Sequence, residues 1–93
     1  MQNLQDILQA ESKTFLDVRT HSEYNQHHIE NAVHIPLNEI PDRLEEIKAL
    51  SKPIVVYCLS GGRSTNAYNY LKQNNVEDVY NGGGISMLEM MLL

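Results

Sequence analysis

Cys58, the only cysteine of the chain, stands between an apolar stretch and a glycine-rich loop. Residues 54–57 before it are apolar and mostly β-branched. Gly61, Gly62 and Arg63 follow it, ahead of a segment with helical spacing. This order predicts a strand, a tight loop and a helix. Such a loop turns several backbone N–H groups toward one point, and the helix adds the positive end of its dipole. Both features favour thiolate over thiol, so Cys58 is a candidate nucleophile.

Other interpretations of these residues are open. A lone cysteine after an apolar strand is commonly a buried, small apolar residue without reactivity. Arg63 could form a salt bridge at the start of the helix, although a cation is poorly placed beside that dipole unless an anion compensates it. The glycines and the arginine that follow Cys58 favour chemistry over this interpretation. We therefore expect Cys58 to react and Arg63 to bind an anionic substrate.

Length, charge and cysteine content limit the classes of protein. The 93 residues suit one domain spanning residues 1–93, and one cysteine allows no intrachain disulfide, which fits a reducing compartment. A net charge of −5 without clustered Lys or Arg argues against nucleic-acid and membrane partners. The sequence shows no apolar run of about 18 residues and no signal peptide. We expect a cytoplasmic protein, or a periplasmic one if a signal peptide preceded residue 1.

The remaining elements are predicted from apolar spacing and end signals. Before Cys58 the patterns predict a helix over Leu4, Ile7 and Leu8 capped by Asn3, a strand over 14–18, a brief helix capped by Ser22, and a strand over 32–35. They then predict a helix with Pro41 in its first turn and an apolar stripe of Ile40, Leu44, Ile47 and Leu50. After the loop they predict a helix that ends at Asn74-Asn75, a short strand at 79–80, a sharp turn at 82–84, and an apolar, Met-rich tail.

Strands that alternate with helices across short connections indicate an α/β fold with a mainly parallel sheet and helices on both faces. Ligands in such folds bind at the carboxyl ends of the strands. Cys58, Asp17 and Arg19 all fall there. Asp17 and Arg19 could take part in catalysis, but we favour a structural pair that braces the loops beneath the site.

Three ordered blocks of sequence resemble the single-domain rhodanese family. The first block comprises Phe15 to Arg19, Glu23-Tyr24, His28-Ile29 and residues 32–36. The second comprises Val55 to Cys58 with Gly61, Arg63 and Ser64. The third is Gly83 to Ile85. The resemblance implies a three-layer fold with a sheet of four or five strands. It also implies a Cys58 persulfide, and loop amides of Leu59, Ser60, Gly61, Gly62, Arg63 and Ser64 that cradle its outer sulfur. Arg63 would help to hold the donor, and His28 would be architectural.

The chain departs from the family pattern at several positions. Asn31 stands where the family usually has glycine, a mild change because asparagine tolerates the left-handed conformation. Leu88 replaces the family's tryptophan, which puts the packing of the C-terminal helix in question. Little sequence precedes the first helix, so an additional edge strand has little room.

The implied activity is sulfur transfer in two half-reactions. The Cys58 thiolate attacks a donor such as thiosulfate or a persulfide, and a thiol or cyanide then removes the sulfur from the Cys58 persulfide. No cofactor is expected. The alternatives are a non-catalytic binding or regulatory module and a sulfur carrier with a protein partner in a biosynthetic relay. A cysteine phosphatase is the least favoured, because four residues separate Cys58 from Arg63, where phosphatases have five.

Two further groups of residues are candidates for function. His21, His27, His28 and His34 suggest a metal site, but their spacing matches no compact ligand motif, and we expect surface or bracing roles. Met87, Met90 and Met91 are expected to pack in the core, the alternative being an exposed patch where a partner protein docks.

Overall fold

The computed structural model describes residues 3–93. Its strands are β1 (Thr14–Asp17), β2 (Val33–His34), β3 (Ile54–Cys58) and β4 (Val79–Gly84). Its α-helices are α1 (Leu4–Leu8), α2 (His21–Gln26), α3 (Leu44–Lys48), α4 (Gly62–Gln73) and α5 (Ile85–Met91). Two 3₁₀ turns, Leu37–Glu39 and Pro41–Arg43, precede α3. None of the helices in this part of the chain has the length and apolar character that crossing a membrane requires.

The four strands form one parallel sheet in the order β2-β1-β3-β4. The chain passes from β1 to β2 on one side and then returns to β3 on the other side of β1. The direction of winding therefore reverses between β1 and β3. Open α/β sheets bind ligands at such a reversal, outside the carboxyl ends of the strands. The expected parallel α/β fold is confirmed, with four strands among the described residues.

Strand alternation in β3 divides the core into two layers. Ile54, Val56 and Cys58 belong to one cluster, together with residues of α3 and α4. Val55 and Tyr57 point the other way, into a cluster with residues of α1 and α5. Because successive side chains of a strand face opposite sides, an unbroken apolar strand is what a sheet covered on both faces requires. Cys58 thereby lies on the α4 face of the sheet.

The C-terminal tail corrects one prediction. Ile85 and Leu88 are buried on the inner face of α5, whereas Met87 and Met90 are 66% and 67% exposed. Residues three apart share one face of a helix, so Ile85 and Leu88 together occupy the inner face of α5. Met87 and Met90, also three apart, lie on the outer face. Their expected core packing is wrong. Leu88 is fully buried in the place where the family resemblance implies tryptophan.

The helix ends agree with the sequence in part. Asn3 caps α1 as predicted, its side chain accepting a hydrogen bond from the N–H of Asp6. The prediction that Ser22 caps α2 is wrong, because Thr20 does so in a reciprocal capping box with Glu23. The helix predicted with Pro41 in its first turn and a stripe from Ile40 to Leu50 is instead a 3₁₀ turn followed by the short α3.

The glycines at 82–84 continue β4 instead of forming the predicted sharp turn. A β-carbon on Gly84 would lie 2.7 Å from the carbonyl oxygen of Leu59, and one on Gly82 would lie 2.8 Å from a methyl group of Val55. Gly84 has an ordinary extended backbone, with φ of −85°. Its small size therefore serves the close approach of β4 to the loop after Cys58.

We expect Gly84→Ala to lower the free energy of unfolding by about 1–3 kcal/mol, because the added methyl group must displace the loop backbone. Gly62→Ala is the matched control, since a β-carbon there meets nothing within 4 Å. Its effect should stay within about 0.5 kcal/mol. Urea denaturation followed by circular dichroism measures both. Equal stability of the two variants would contradict this account of Gly84.

Candidate active site

The sulfur of Cys58 lies at the amino end of α4, within a turn of backbone amides. Its Sγ accepts hydrogen bonds from the N–H of Gly61 at 3.0 Å and from the N–H of Ser64 at 3.3 Å. Gly61 makes this turn possible with a φ of 109°, a conformation that glycine adopts without strain. The Cys58 residue is 1% exposed, and its sulfur faces the loop amides although its neighbours belong to the core.

The loop lowers the pKa of the Cys58 thiol. Burial raises this pKa, since it disfavours the charged form, but hydrogen bonds from Ser64, Gly61 and Ser60 outweigh burial. The twelve-residue helix α4 adds the positive end of its dipole at the same point. The net result is a pKa below the ordinary value of 9.0. A low thiol pKa is what a nucleophilic cysteine requires.

The rest of the predicted loop has mixed roles in the structure. The Leu59 carbonyl is the group that Gly84 approaches, while the Leu59 side chain is exposed. The hydroxyl of buried Ser64 donates to the carbonyl of Gly61 at 3.0 Å and so closes the turn. Gly62 begins α4. The hydrogen bonds to Sγ therefore come from part of the predicted loop, not from every amide in it.

Arg63 is held by an acidic residue that the sequence did not mark as part of the site. Its Nη1 and Nη2 donate to Oε1 and Oε2 of Glu23 at 2.7 and 2.9 Å. Hydrogen bonds from Arg63, the largest cause, and from Thr20 lower the pKa of Glu23 to about 2, so the carboxylate is charged at neutral pH. Glu23 is thus the anion that compensates the charge of Arg63 beside the helix dipole. This contact is the salt bridge at the start of the helix that the sequence left open as an alternative role for Arg63. The pattern Thr20-x-x-Glu23 signals a capping box, but not this contact with Arg63.

Asp17 and Arg19 form a buried ion pair beneath the loops. Arg19 donates from Nη2 to Oδ2 of Asp17 at 2.7 Å and to the carbonyl of His27 at 2.6 Å. Burial alone would raise the pKa of Asp17, but hydrogen bonds from Arg19 bring it below the ordinary value. The pair joins the end of β1 to the end of α2, a contact suited to the bracing role that we predicted. Arg19 also lies 5.6 Å from the ring centre of Tyr57.

The histidines lie among aromatic rings and carboxylates. His28 stacks on Tyr24 with 3.8 Å between ring centres, and its Nδ1 lies 2.7 Å from the Tyr24 carbonyl. His34 stacks on the same tyrosine at 4.4 Å, and His21 meets the His34 ring edge-on. The Nε2 of His27 is 2.6 Å from a Glu89 carboxylate oxygen. Within residues 3–93, no three His, Cys, Asp or Glu side chains are grouped as a metal site requires.

A cleft of about 350 Å³ opens beside Arg63. Residues 18–21, which follow β1, residues 36–39, which follow β2, and Arg63 line it. We call this region the entrance cleft. It lies on the carboxyl side of the sheet, where the winding reverses. The N–H of Val18, one of its lining residues, donates to the carbonyl of Tyr57, the residue before Cys58.

The lowered thiol pKa predicts how the rate of Cys58 alkylation depends on pH. As pH rises, the rate of Cys58 alkylation by iodoacetamide should reach half its plateau below pH 9.0, because only the thiolate reacts. Ser64→Ala should move this midpoint upward, since the Ser64 hydroxyl helps to lower the pKa. Thr65→Ala is the control, because its hydroxyl also donates to Gly61 but does not contact the sulfur. A wild-type midpoint at or above 9.0 would contradict the assigned environment.

Comparison with known proteins agrees with this architecture. The family model described as "Rhodanese-like domain" matches residues 1–86. Thiosulfate sulfurtransferase PspE of Escherichia coli is 31% identical, over 82% of this chain and 74% of its own length. A sulfurtransferase of Allochromatium vinosum is 38% identical, over 87% of this chain and 76% of its own length.

A solved structure described as a rhodanese with anions from E. coli superposes with a TM-score of 0.71 at 31% identity, covering 80% of this chain and 88% of that one. The sequence of this chain and its backbone, including the parallel sheet and the strand-loop-helix around Cys58, thus both match one family. The chain belongs to the rhodanese-like domain family, and its relatives support sulfurtransferase activity.

Proposed function

We propose that this sulfurtransferase carries the transferred sulfur on Cys58, taking it from thiosulfate or a persulfide and passing it to a thiol or cyanide. The observation that carries the proposal is the position of Sγ, which accepts hydrogen bonds from two loop amides at the start of α4. These donors are fixed by the backbone, so they need no rearrangement when negative charge appears on sulfur. The proposal treats residues 1–93 as one functional domain.

The first half-reaction forms the Cys58 persulfide. The Cys58 thiolate attacks the outer sulfur of thiosulfate, a new S–S bond forms, and sulfite leaves with the electron pair of the broken bond. In the second half-reaction an acceptor attacks that outer sulfur, and Cys58 leaves as a thiolate. The low thiol pKa serves both steps, because it raises the thiolate fraction and makes Cys58 a better leaving group.

The loop amides are also suited to hold the charged persulfide. Their hydrogen bonds to Sγ measure 3.0 and 3.3 Å, and the turn that bears them is closed by the Ser64 hydroxyl. We propose that the amides of residues 59–64 surround the outer sulfur once it is attached. A ring with four residues between Cys58 and Arg63 suits one sulfur atom better than a tetrahedral phosphate, so a phosphatase is disfavoured.

The roles of the surrounding residues follow from their contacts. Asp17 and Arg19 position the loops and do not touch the sulfur, and His28 braces α2 through Tyr24. A sulfur carrier in a relay would use the same Cys58 persulfide with a protein as donor or acceptor.

Intact-mass spectrometry after incubation with thiosulfate, or with a small organic persulfide, tests the proposal. We expect one added sulfur atom on the wild type, removed by cyanide, and none on Cys58→Ser, because a hydroxyl cannot form the S–S bond. Thermal unfolding of the variant confirms that it is folded. The proposal fails if neither donor adds a cyanide-releasable sulfur to the wild type, or if Cys58→Ser gains the same mass.

A further inference from the structure

The sulfur of Cys58 is covered by the residues around it. Cys58 is 1% exposed, although its Sγ is turned toward the loop amides. A reagent must approach to roughly 3–3.5 Å before it can form a bond to sulfur. Some group next to the sulfur must therefore move before Cys58 can react.

Most of the segments around the sulfur are held by burial. The strand β3 is buried over its whole length, and so are Ser64 and Ala67 of α4. Gly84 of β4 packs closely against the carbonyl of Leu59. The loop between β3 and α4 is fixed by its own hydrogen bonds to Sγ. Movement of any of these segments would disrupt the core or the amides that surround the sulfur.

The helix α2 and its flanking residues differ from these segments. Residues 20–28, which we call the α2 segment, include no buried residue. The segment follows the buried Arg19 and ends before the buried Ile29. Its half-buried Tyr24 packs against the core. Because segments with few buried apolar contacts open at a lower cost in free energy than the core does, the α2 segment is the part of the site best suited to move.

Polar contacts hold the α2 segment at both ends. Near its start, Glu23 accepts hydrogen bonds from Arg63 in the first turn of α4, at 2.7 and 2.9 Å. At its end, Nε2 of His27 lies 2.6 Å from Oε2 of Glu89 on α5, and the His27 carbonyl accepts a hydrogen bond from Arg19. Both side-chain pairs are partly exposed to solvent, where such pairs contribute little to stability. They can therefore break without unfolding the domain.

Arg63 connects the α2 segment to the turn around the sulfur. It precedes Ser64, whose N–H donates to Sγ of Cys58 at 3.3 Å. The hydrogen bond with Glu23 is the largest cause that raises the pKa of the Arg63 guanidinium, and the charge of Cys58 contributes as well. Arg63 thus lies within electrostatic reach of the sulfur. The contact that fastens the start of the α2 segment is made at the edge of the amide turn.

We propose that the α2 segment is a latch that restricts access to Cys58, and that Glu23 and His27 are positioning residues that hold it closed. The inference rests on the proposed function, because the latch covers the cysteine that would carry the sulfur. In the open form Glu23 leaves Arg63, so a reactant reaches the sulfur and meets a cation without a partner. In the closed form the sulfur is kept from water and from other thiols.

The plateau of the pH profile for alkylation measures access to the sulfur. At the plateau all of Cys58 is thiolate, and iodoacetamide carries no charge, so neither the thiol pKa nor attraction between charges limits the rate. With an open form populated at about 0.1–10%, the wild-type plateau should lie about 10- to 1,000-fold below that of N-acetylcysteine. A plateau equal to that of the free thiol would overturn the latch.

Glu23→Gln loosens the start of the latch. Glutamine keeps an oxygen for the hydrogen bonds that Glu23 receives from Thr20, so the cap of α2 is retained. We expect the plateau rate to rise about two- to fivefold, because Arg63 loses its charged partner. An electrostatic effect on Cys58 alone would act in the opposite direction. A freed Arg63 lowers the thiol pKa, and a thiolate of lower pKa is a weaker nucleophile.

His27→Ala loosens the other end of the latch by removing the contact with Glu89. We expect the plateau rate to rise about twofold. The double variant with Glu23→Gln should show the product of the two factors, because both contacts then act on one opening equilibrium. Glu46→Gln is the matched control, since Glu46 also makes a two-point pair with an arginine, but with Arg43 at the start of α3. Its plateau rate should equal that of the wild type.

The outcomes separate the latch from the proposed function. Thermal unfolding identifies any variant that does not fold. The latch is wrong if Glu23→Gln leaves the plateau rate unchanged, or if Glu46→Gln raises it equally. It is also wrong if His27→Ala has no effect, because the change would then be confined to Arg63.

Mass spectrometry with thiosulfate or a small organic persulfide then tests the proposed function independently. If the plateau rates change as expected but neither donor adds sulfur to Cys58, the latch stands and the proposed function fails. If sulfur is added to Cys58 while all plateau rates are equal, the function stands and the latch is wrong.

Discussion

The hydrogen bonds from the Gly61 and Ser64 amides to the sulfur of Cys58 are the contacts on which the site depends. They exist because β3 ends at Cys58 and the chain turns back at once into α4. That turn needs Gly61 in a left-handed conformation, and it needs Gly84 to let β4 pass against the Leu59 carbonyl. The glycines before and after α4 thus serve one purpose, which is to keep backbone donors aimed at one buried atom.

Stabilisation of the sulfur comes from amide dipoles more than from a free cation. Arg63 is close enough for a charge on Cys58 to raise the pKa of its guanidinium, but its hydrogen bond with Glu23 is the larger cause of that shift. Asp17 and Arg19 neutralise each other in the same way. Backbone donors keep their orientation whatever the substrate, and groups shielded from solvent are screened little by salt. The site can therefore favour an anionic sulfur in a chain of net negative charge.

Sequence reasoning succeeded where the signal is local. The strand-loop-helix around Cys58 and the Asn3 cap both follow from a few neighbouring residues, and both are confirmed. The Thr20 cap also has a local signal, Glu23 three residues later, but Ser22 offers an equally suitable capping side chain two residues away. The glycines at 82–84 were interpreted as a turn because sequence shows glycine's freedom but not what approaches it.

The contact between Glu23 and Arg63 joins residues 40 positions apart, so no local pattern reports it. The prediction that Met87 and Met90 pack in the core was wrong for a related reason. Their apolar character was visible, but which face of α5 meets the sheet depends on how Ile85 and Leu88 fill it. In both cases the residue types are visible in the sequence, but the tertiary neighbour is not.

Separate segments of the chain form the two parts of the candidate site. The loop after β3 holds the sulfur through its backbone, and the loops after β1 and β2 form the cleft with their side chains. Glu23 connects the two parts, because one of its oxygens accepts both from Thr20 at the start of α2 and from Arg63 beyond the loop. A change in an exposed side chain of the cleft can therefore leave the amides around Cys58 in place. Glu23 thus ties the start of α2 to the first turn of α4, beside the amides that surround the sulfur.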